Sequence, residues 1–278
     1  MHVNGVNLNV KVTGSGPPII VLHGFAGSMT SWTDFVHGAA RRFKIITIDL
    51  LGHGGSDFPK DLKRYSAEHA GNDIITIMTK LGIDSACWLG YSMGGRIALL
   101  TAVSKPEKFT GLILEGASPG LSSTRERKQR ARKDEKLAQR IIKNGIETFA
   151  DYWESQGLFA TQKRLPKEIR QWLREQRLAN NPIGLSNTLR AIGLGVQTPV
   201  QMMLPSLTIP VLCVTGSLDR KFTAIAKEMC KKLPNSKAAV IRGSGHAPHL
   251  EKPEQFNRVV FRFLDSLQLS NAQYNHSA

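Results

Sequence analysis

A single serine, Ser92, stands between glycines in Gly90-Tyr91-Ser92-Met93-Gly94-Gly95, a spacing that fits a sharp turn from a strand into a helix. At such a turn the chain passes close to itself, so glycine is needed where a β-carbon would collide, and the serine hydroxyl is held out at the end of a sheet. Serine is a poor nucleophile or base at neutral pH. It needs a histidine to take its proton and a carboxylate to orient that histidine. Asp219, in Gly216-Ser217-Leu218-Asp219, and His246, in Gly243-Ser244-Gly245-His246, follow in the chain order expected of such a triad. Glu115 is the second choice for the acid. His23 and His53 sit in glycine-rich turns where a structural hydrogen bond is the expected role, and His249 is displaced onto the turn after His246. Backbone amides of Met93, after the serine, and of Phe25, in His23-Gly24-Phe25, are the expected donors to a developing oxyanion.

These residues need strands that end where the chemistry is. Val6 to Val12 reads as one edge strand, Pro18 to Leu22 as a buried strand and Phe43 to Ile48 as another. Ser66 can cap a helix with apolar positions Ile74, Ile77, Met78 and Leu81, ending near Gly82. The elbow strand runs from Ser85 to Leu89 and its helix from Arg96 to Val103; a further strand covers Leu112 to Leu114. From Leu121 to about Leu204 only helical signals occur. Strands resume at Pro210 to Thr215 and Ala238 to Ile241, with helices over Phe222 to Leu233 and Pro253 to Leu267. The expected fold is therefore α/β: a mostly parallel central sheet with helices on both faces and an inserted helical cap. Residues 1–118 and 206–270 form the core, 119–205 the cap, and 271–278 a frayed tail.

The 278 residues suffice for one such domain. No apolar run reaches the length of a membrane helix and the first residues do not resemble a leader, so no membrane insertion or export is expected. Cys87, Cys213 and Cys230 lack metal-ligand spacing and suit a reducing, cytoplasmic setting. The net charge is +15, with 16 Lys and Arg against 8 Asp and Glu between Leu121 and Arg190. These cations are spread over helices without interleaved aromatics or a recognition module, so nucleic acid is not an expected partner. One of them is placed for chemistry: Arg96 lies one helical turn after Ser92, where it either pairs with a carboxylate or awaits an anionic substrate. No long exposed apolar stripe is left over, and a monomer is expected.

The segments Gly90 to Arg96, Ser118-Pro119-Gly120-Leu121, Asp151-Tyr152-Trp153, Arg177 with Asn180-Asn181, Gly193 to Gln197 and Asp219 to Phe222 resemble a family within the α/β hydrolases. This is the 2-succinyl-6-hydroxy-2,4-cyclohexadiene-1-carboxylate synthase family of menaquinone biosynthesis, and the similarity runs from Val21 to about Leu264. The resemblance implies a lyase that eliminates pyruvate from 2-succinyl-5-enolpyruvyl-6-hydroxy-3-cyclohexene-1-carboxylate, without cofactor or metal. It implies Ser92, Asp219 and His246 as catalytic residues, with Phe25 and Met93 amides as the oxyanion hole. It further implies Arg96, Arg130 and Arg177 as binders of a small tricarboxylate, with Tyr91, Tyr152 and Trp153 lining the pocket. Arg127 and Arg132 lie close to Arg130 on the same helix, and Tyr152 and Trp153 can exchange roles. The triad itself is equally compatible with hydrolysis of an ester or a carbon–carbon bond in an anionic substrate. A non-catalytic, ligand-binding use of the fold is the remaining alternative.

Overall fold

The computed structural model describes residues 1–275, with side chains through Leu269. Nine strands are found among these residues: β1 (His2–Val3), β2 (Val6–Asn7), β3 (Val10–Thr13), β4 (Pro18–Leu22), β5 (Lys44–Ile48), β6 (Ala86–Tyr91), β7 (Phe109–Glu115), β8 (Val211–Gly216) and β9 (Ser236–Ile241). The helices are α1 (Thr33–Ala39), α2 (Ala67–Lys80), α3 (Met93–Ser104), α4 (Thr124–Ser155), α5 (Lys167–Leu178), α6 (Pro182–Ile192), α7 (Arg220–Lys232), α8 (Pro248–Glu251) and α9 (Pro253–Asn275).

Seven strands form one sheet in the order β3-β5-β4-β6-β7-β8-β9, parallel throughout except for the edge pair β3 and β5. Strands buried on both faces read as continuous apolar runs, and β4 and β6 are of this kind. Two core layers result. One packs Ile20, Leu22, Ile46, Ile48, Trp88 and Leu112 against α2 and α3; the other packs Ile19, Val21, Leu89, Ile113 and Val214 against α1 and α9.

The stretch Val6 to Val12, expected as one strand, is divided. Asn4 and Gly5 have φ of 46° and 84°, the left-handed pair of a tight hairpin turn, so Val6–Asn7 folds back on His2–Val3 as a separate ribbon. Only Val10–Thr13 joins the main sheet. The final helix passes the expected end at Leu267 and continues to Asn275; the tail residues 276–278 lie outside the described residues.

Between β7 and β8 the described chain contains helices and no strand. In α4 the polar sequence carries one apolar stripe, with Ala138, Ile141, Phe149 and Ala150 buried, and this stripe packs on Leu185 and Leu189 of α6. The helix is broken at Gly145, whose φ of 80° and ψ of 175° leave the helical region. The change of direction brings Trp153, eight residues on, among Phe25, Phe149 and Phe159.

Candidate active site

The turn at Ser92 is as tight as its glycines suggest. A β-carbon on Gly90 would lie 2.5 Å from backbone atoms of Gly94 and Gly95, so strand and helix can cross only without a side chain there. Ser92 has φ 48° and ψ −102°, a conformation that side-chain-bearing residues rarely adopt, and its amide is anchored to Glu115 O at 2.7 Å. β6 is thus followed directly by a strained residue, at the carboxyl end of the sheet.

β8 and β9 deliver the other two groups. Asp219 caps α7, with Oδ1 accepting from the Phe222 amide at 3.1 Å, and this fixes its carboxylate. Its Oδ2 lies 2.7 Å from His246 Nδ1, and His246 Nε2 lies 3.2 Å from Ser92 Oγ. With Nδ1 donating to the carboxylate, Nε2 is free to accept the serine proton. The ring is held by Phe222, with centroids 4.5 Å apart, and by Tyr91 at 5.4 Å.

The amides of Phe25 and Met93 have no acceptor among the described residues. Gly27 N closes a turn onto Gly24 O at 3.1 Å, which leaves the Phe25 amide inside the loop unused, and the Met93 amide belongs to the first turn of α3, where no intrahelical acceptor exists.

The rival side chains have other partners. Glu115 is fully buried and accepts from both the backbone amide (2.9 Å) and the ring (2.8 Å) of His249, so it forms a second carboxylate–imidazole pair and not the one that serves Ser92. His23 ties two loops together: Nδ1 donates to Gly24 O at 2.8 Å while Nε2 accepts from Leu50 N at 2.9 Å. Burial lowers its pKa, consistent with a neutral ring. His53 is likewise buried, its pKa depressed to about 3 by loss of solvent and by the adjacent His23.

A cavity of about 310 Å³ opens in front of Ser92 and His246. Of the expected binding residues, Tyr91, Arg96, Arg130, Trp153 and Arg177 line it. Tyr152 does not: its ring lies 5.0 Å from the Arg140 guanidinium, on another face of α4 from its neighbour Trp153. Arg130 is separated from its two rivals. Arg127 is spent on the carbonyls of Leu121 and Ser122, Arg132 is exposed, and neither lines the cavity.

Among the described residues, Arg96 has no carboxylate within ion-pair distance. Its Nη1 donates to Ile192 O at 2.7 Å and to Gln197 Oε1. Burial, with Arg130 nearby and only partly offset by the Asp134 carboxylate, lowers its pKa to about 10, so it stays charged at neutral pH. Arg130 bonds Asp134 at 2.8 Å, and Arg177, 8% exposed, bonds Glu154 at 3.0 Å and Gln162 at 3.1 Å. Sequence reasoning left Lys221 and Gln176 without a role, although both line the cavity. Lys221 follows Asp219 by two residues, a proximity visible in the sequence; Gln176 carries no such signal.

The chain just past α5 is fastened to the loop that carries Phe25. Asn180 donates to Ala26 O at 3.2 Å, and its Oδ1 accepts from Gly54 N at 3.2 Å.

The described chain has no helix long and apolar enough to cross a membrane. A family model described as alpha/beta hydrolase fold matches residues 17–253. A Bacillus subtilis (strain 168) protein, provisionally named as a 2-succinyl-6-hydroxy-2,4-cyclohexadiene-1-carboxylate synthase, is 41% identical over 249 residues, covering 90% of each chain. The chain belongs to this family of alpha/beta hydrolases. A synthase of the same name from Salmonella paratyphi A is 34% identical over 247 residues, 85% of this chain and 89% of that one. Among solved structures, MenH from S. aureus superposes with a TM-score of 0.90 at 32% identity, covering 93% of this chain and 98% of that chain.

Proposed function

We propose that the chain is a carbon–oxygen lyase that eliminates pyruvate from 2-succinyl-5-enolpyruvyl-6-hydroxy-3-cyclohexene-1-carboxylate, giving 2-succinyl-6-hydroxy-2,4-cyclohexadiene-1-carboxylate. The observation that carries this reading beyond the family is Arg96. A charge whose hydrogen bonds go to neutral oxygens, with Asp134 near but bonded to Arg130, stands at the cavity wall four residues from Ser92 and is set to receive an anion close to the reacting atoms.

His246 Nε2 takes the Ser92 proton, and the serine oxygen removes the ring proton alpha to the succinyl ketone. The ketone oxygen becomes an enolate oxyanion, received by the amides of Phe25 and Met93. The electron pair then returns through the ring, the existing double bond shifts, and the bond from ring carbon to enolpyruvyl oxygen breaks. The departing enolate gains a proton and becomes pyruvate, with the serine hydroxyl re-formed and His246 able to return the proton it took, while the ring passes from one double bond to two in conjugation. A positioned base supplies about 10²- to 10⁴-fold, and each oxyanion donor about 3 to 4 kcal/mol. Arg96, Arg130 and Arg177 hold the substrate's three carboxylates, with Tyr91 and Trp153 against the ring. Residues 119–205 act as a cap over the core, and the protein works as a cytoplasmic monomer.

The same triad could perform acyl transfer on an anionic ester, and turnover separates the two readings. Pyruvate release from freshly generated substrate, followed by a coupled assay, is expected to be fast and to collapse in Ser92→Ala. Release at the spontaneous rate by the native protein, with steady ester turnover instead, would replace the lyase by a hydrolase.

A further inference from the structure

Besides the two backbone amides, the cavity wall carries a buried side-chain donor that no described residue engages. Gln176, on α5 next to Arg177, has its amide oriented from behind: Oε1 accepts from Ser31 Oγ at 2.9 Å and from Ser28 Oγ at 3.4 Å. Ser28 is further tied to Thr30, and Ser31 stands in the short turn after β4, so both hydroxyls belong to the hydrolase core and not to the insertion. With the oxygen so engaged, Nε2 is at the opposite end of the amide. It is buried and has no partner among the described residues. Gln176 and Ser31 both line the cavity in front of Ser92.

A buried, unpaired amide donor is costly, and a ligand acceptor is the direct way to relieve it. The neighbouring cation makes a carboxylate the fitting ligand group. Arg177 already has Glu154 on one nitrogen and Gln162 on another, and Glu154, which it shares with Arg174, offsets part of its charge. Arg130 is offset by Asp134 in the same way. Two of the three arginines are thus less available to a polyanion than a bare count suggests, and an added neutral donor strengthens the weaker end.

We infer that Gln176 Nε2 donates a hydrogen bond to a carboxylate oxygen of the substrate and sets, with Arg177, the recognition of the arm lying toward α5. This rests on the lyase reading, in which the ketone, the other strong acceptor, occupies the Phe25 and Met93 amides. The amide orientation is essential. Turned over, Gln176 would present Oε1 to the cavity, an acceptor that repels carboxylate.

Two substitutions separate the donor from the scaffold. Gln176→Glu keeps acceptor oxygens for Ser28 and Ser31 but removes the N–H; Gln176→Leu removes both ends without adding charge. In the pyruvate-release assay, Gln176→Leu is expected to raise KM about tenfold or more, and Gln176→Glu about 100-fold, each with kcat within about threefold of the native value. Binding of 4-oxo-4-phenylbutanoate, which carries the succinyl arm alone, is measured in parallel by calorimetry. Tenfold weaker probe binding in Gln176→Leu assigns the succinyl carboxylate; unchanged probe binding with a raised substrate KM assigns the ring or enolpyruvyl carboxylate. Native KM in Gln176→Leu overturns the inference, as does a fall in kcat at constant KM. If the native protein releases no pyruvate, the reaction reading fails, and Gln176 is judged on the probe: equal affinity in both proteins, or binding to neither, overturns it.

Discussion

Replacing Asp219 by asparagine changes almost no volume and inverts the chemistry of the site. The carboxylate makes two bonds at once, accepting from the Phe222 amide at 3.1 Å and from His246 Nδ1 at 2.7 Å. An asparagine has one oxygen for these two donors. If the oxygen stays on the Phe222 amide, the helix cap survives and the NH₂ faces Nδ1. The imidazole must then carry its proton on Nε2, and Nε2 donates to Ser92 Oγ when it should accept. If the oxygen turns to Nδ1, the useful tautomer survives but NH₂ opposes the Phe222 N–H, and the cap is lost at about 1 kcal/mol. The first arrangement leaves no donor unpaired and is preferred by that amount, about fivefold in population. The second keeps the tautomer without the charge that stabilises the imidazolium. Together they predict a fall in kcat of about 10³ to 10⁴, about 4 to 5.5 kcal/mol, with a melting temperature lower by about 2 °C at most. Steady-state pyruvate release and calorimetric melting on the same samples are the assays. Activity above one tenth of native in a well-folded Asp219→Asn protein would show that His246 does not depend on this carboxylate, and the triad argument would fall with it.

Further expectations follow from strain, charge and protonation. Ser92→Gly relieves a φ of 48° and should raise stability by about 1 kcal/mol while abolishing pyruvate release; unchanged or lower denaturant stability would mean the elbow stores no strain. Arg96→Met removes a cation that has no carboxylate partner, so KM should rise about tenfold or more while the melting temperature stays within a few degrees; a native KM would remove Arg96 from the binding site. His53 has a folded pKa near 3 against an ordinary 6.5, so the unfolded chain takes the proton first as pH falls. Its stabilising contribution is full above about pH 6.5 and is lost from there down toward about pH 3, at about 1.4 kcal/mol per unit. Urea midpoints at pH 7, 6 and 5 should therefore fall more steeply in the native protein than in His53→Asn, and parallel slopes would refute the assignment.

The grouping of Ser92, His246 and Asp219 is legible because each stands shortly after a strand and because glycine spacing marks the elbow. Asp219 also advertises itself as a helix cap. What stayed hidden depends on rotation and pairing. Tyr152 and Trp153 are adjacent on a helix, about 100° apart around its axis, and only the break at Gly145 decides which one reaches Phe25. Glu115 stands at a strand end as Asp219 does; its capture by His249 is a tertiary fact that local sequence does not carry. The hairpin at Asn4-Gly5 was legible in principle, since that dipeptide favours left-handed backbone at both positions, but the alternation across Val6 to Val12 hid it. Gln176 had no signal at all, because an amide becomes informative only when its oxygen is known to be engaged.

Asn180 joins three segments: its Nδ2 reaches Ala26 O in the loop that carries Phe25, its Oδ1 holds Gly54 of the turn after β5, and its backbone closes α5. Any swing of α5 that widens the cavity therefore pulls on the carbonyl next to Phe25. Access and electrostatic readiness are then linked quantities. If a ligand draws α5 inward, part of its binding free energy goes into holding the Phe25 N–H in place, and by reciprocity a ligand bound to the Phe25 and Met93 amides alone should slow the exchange of α5 backbone protons with solvent.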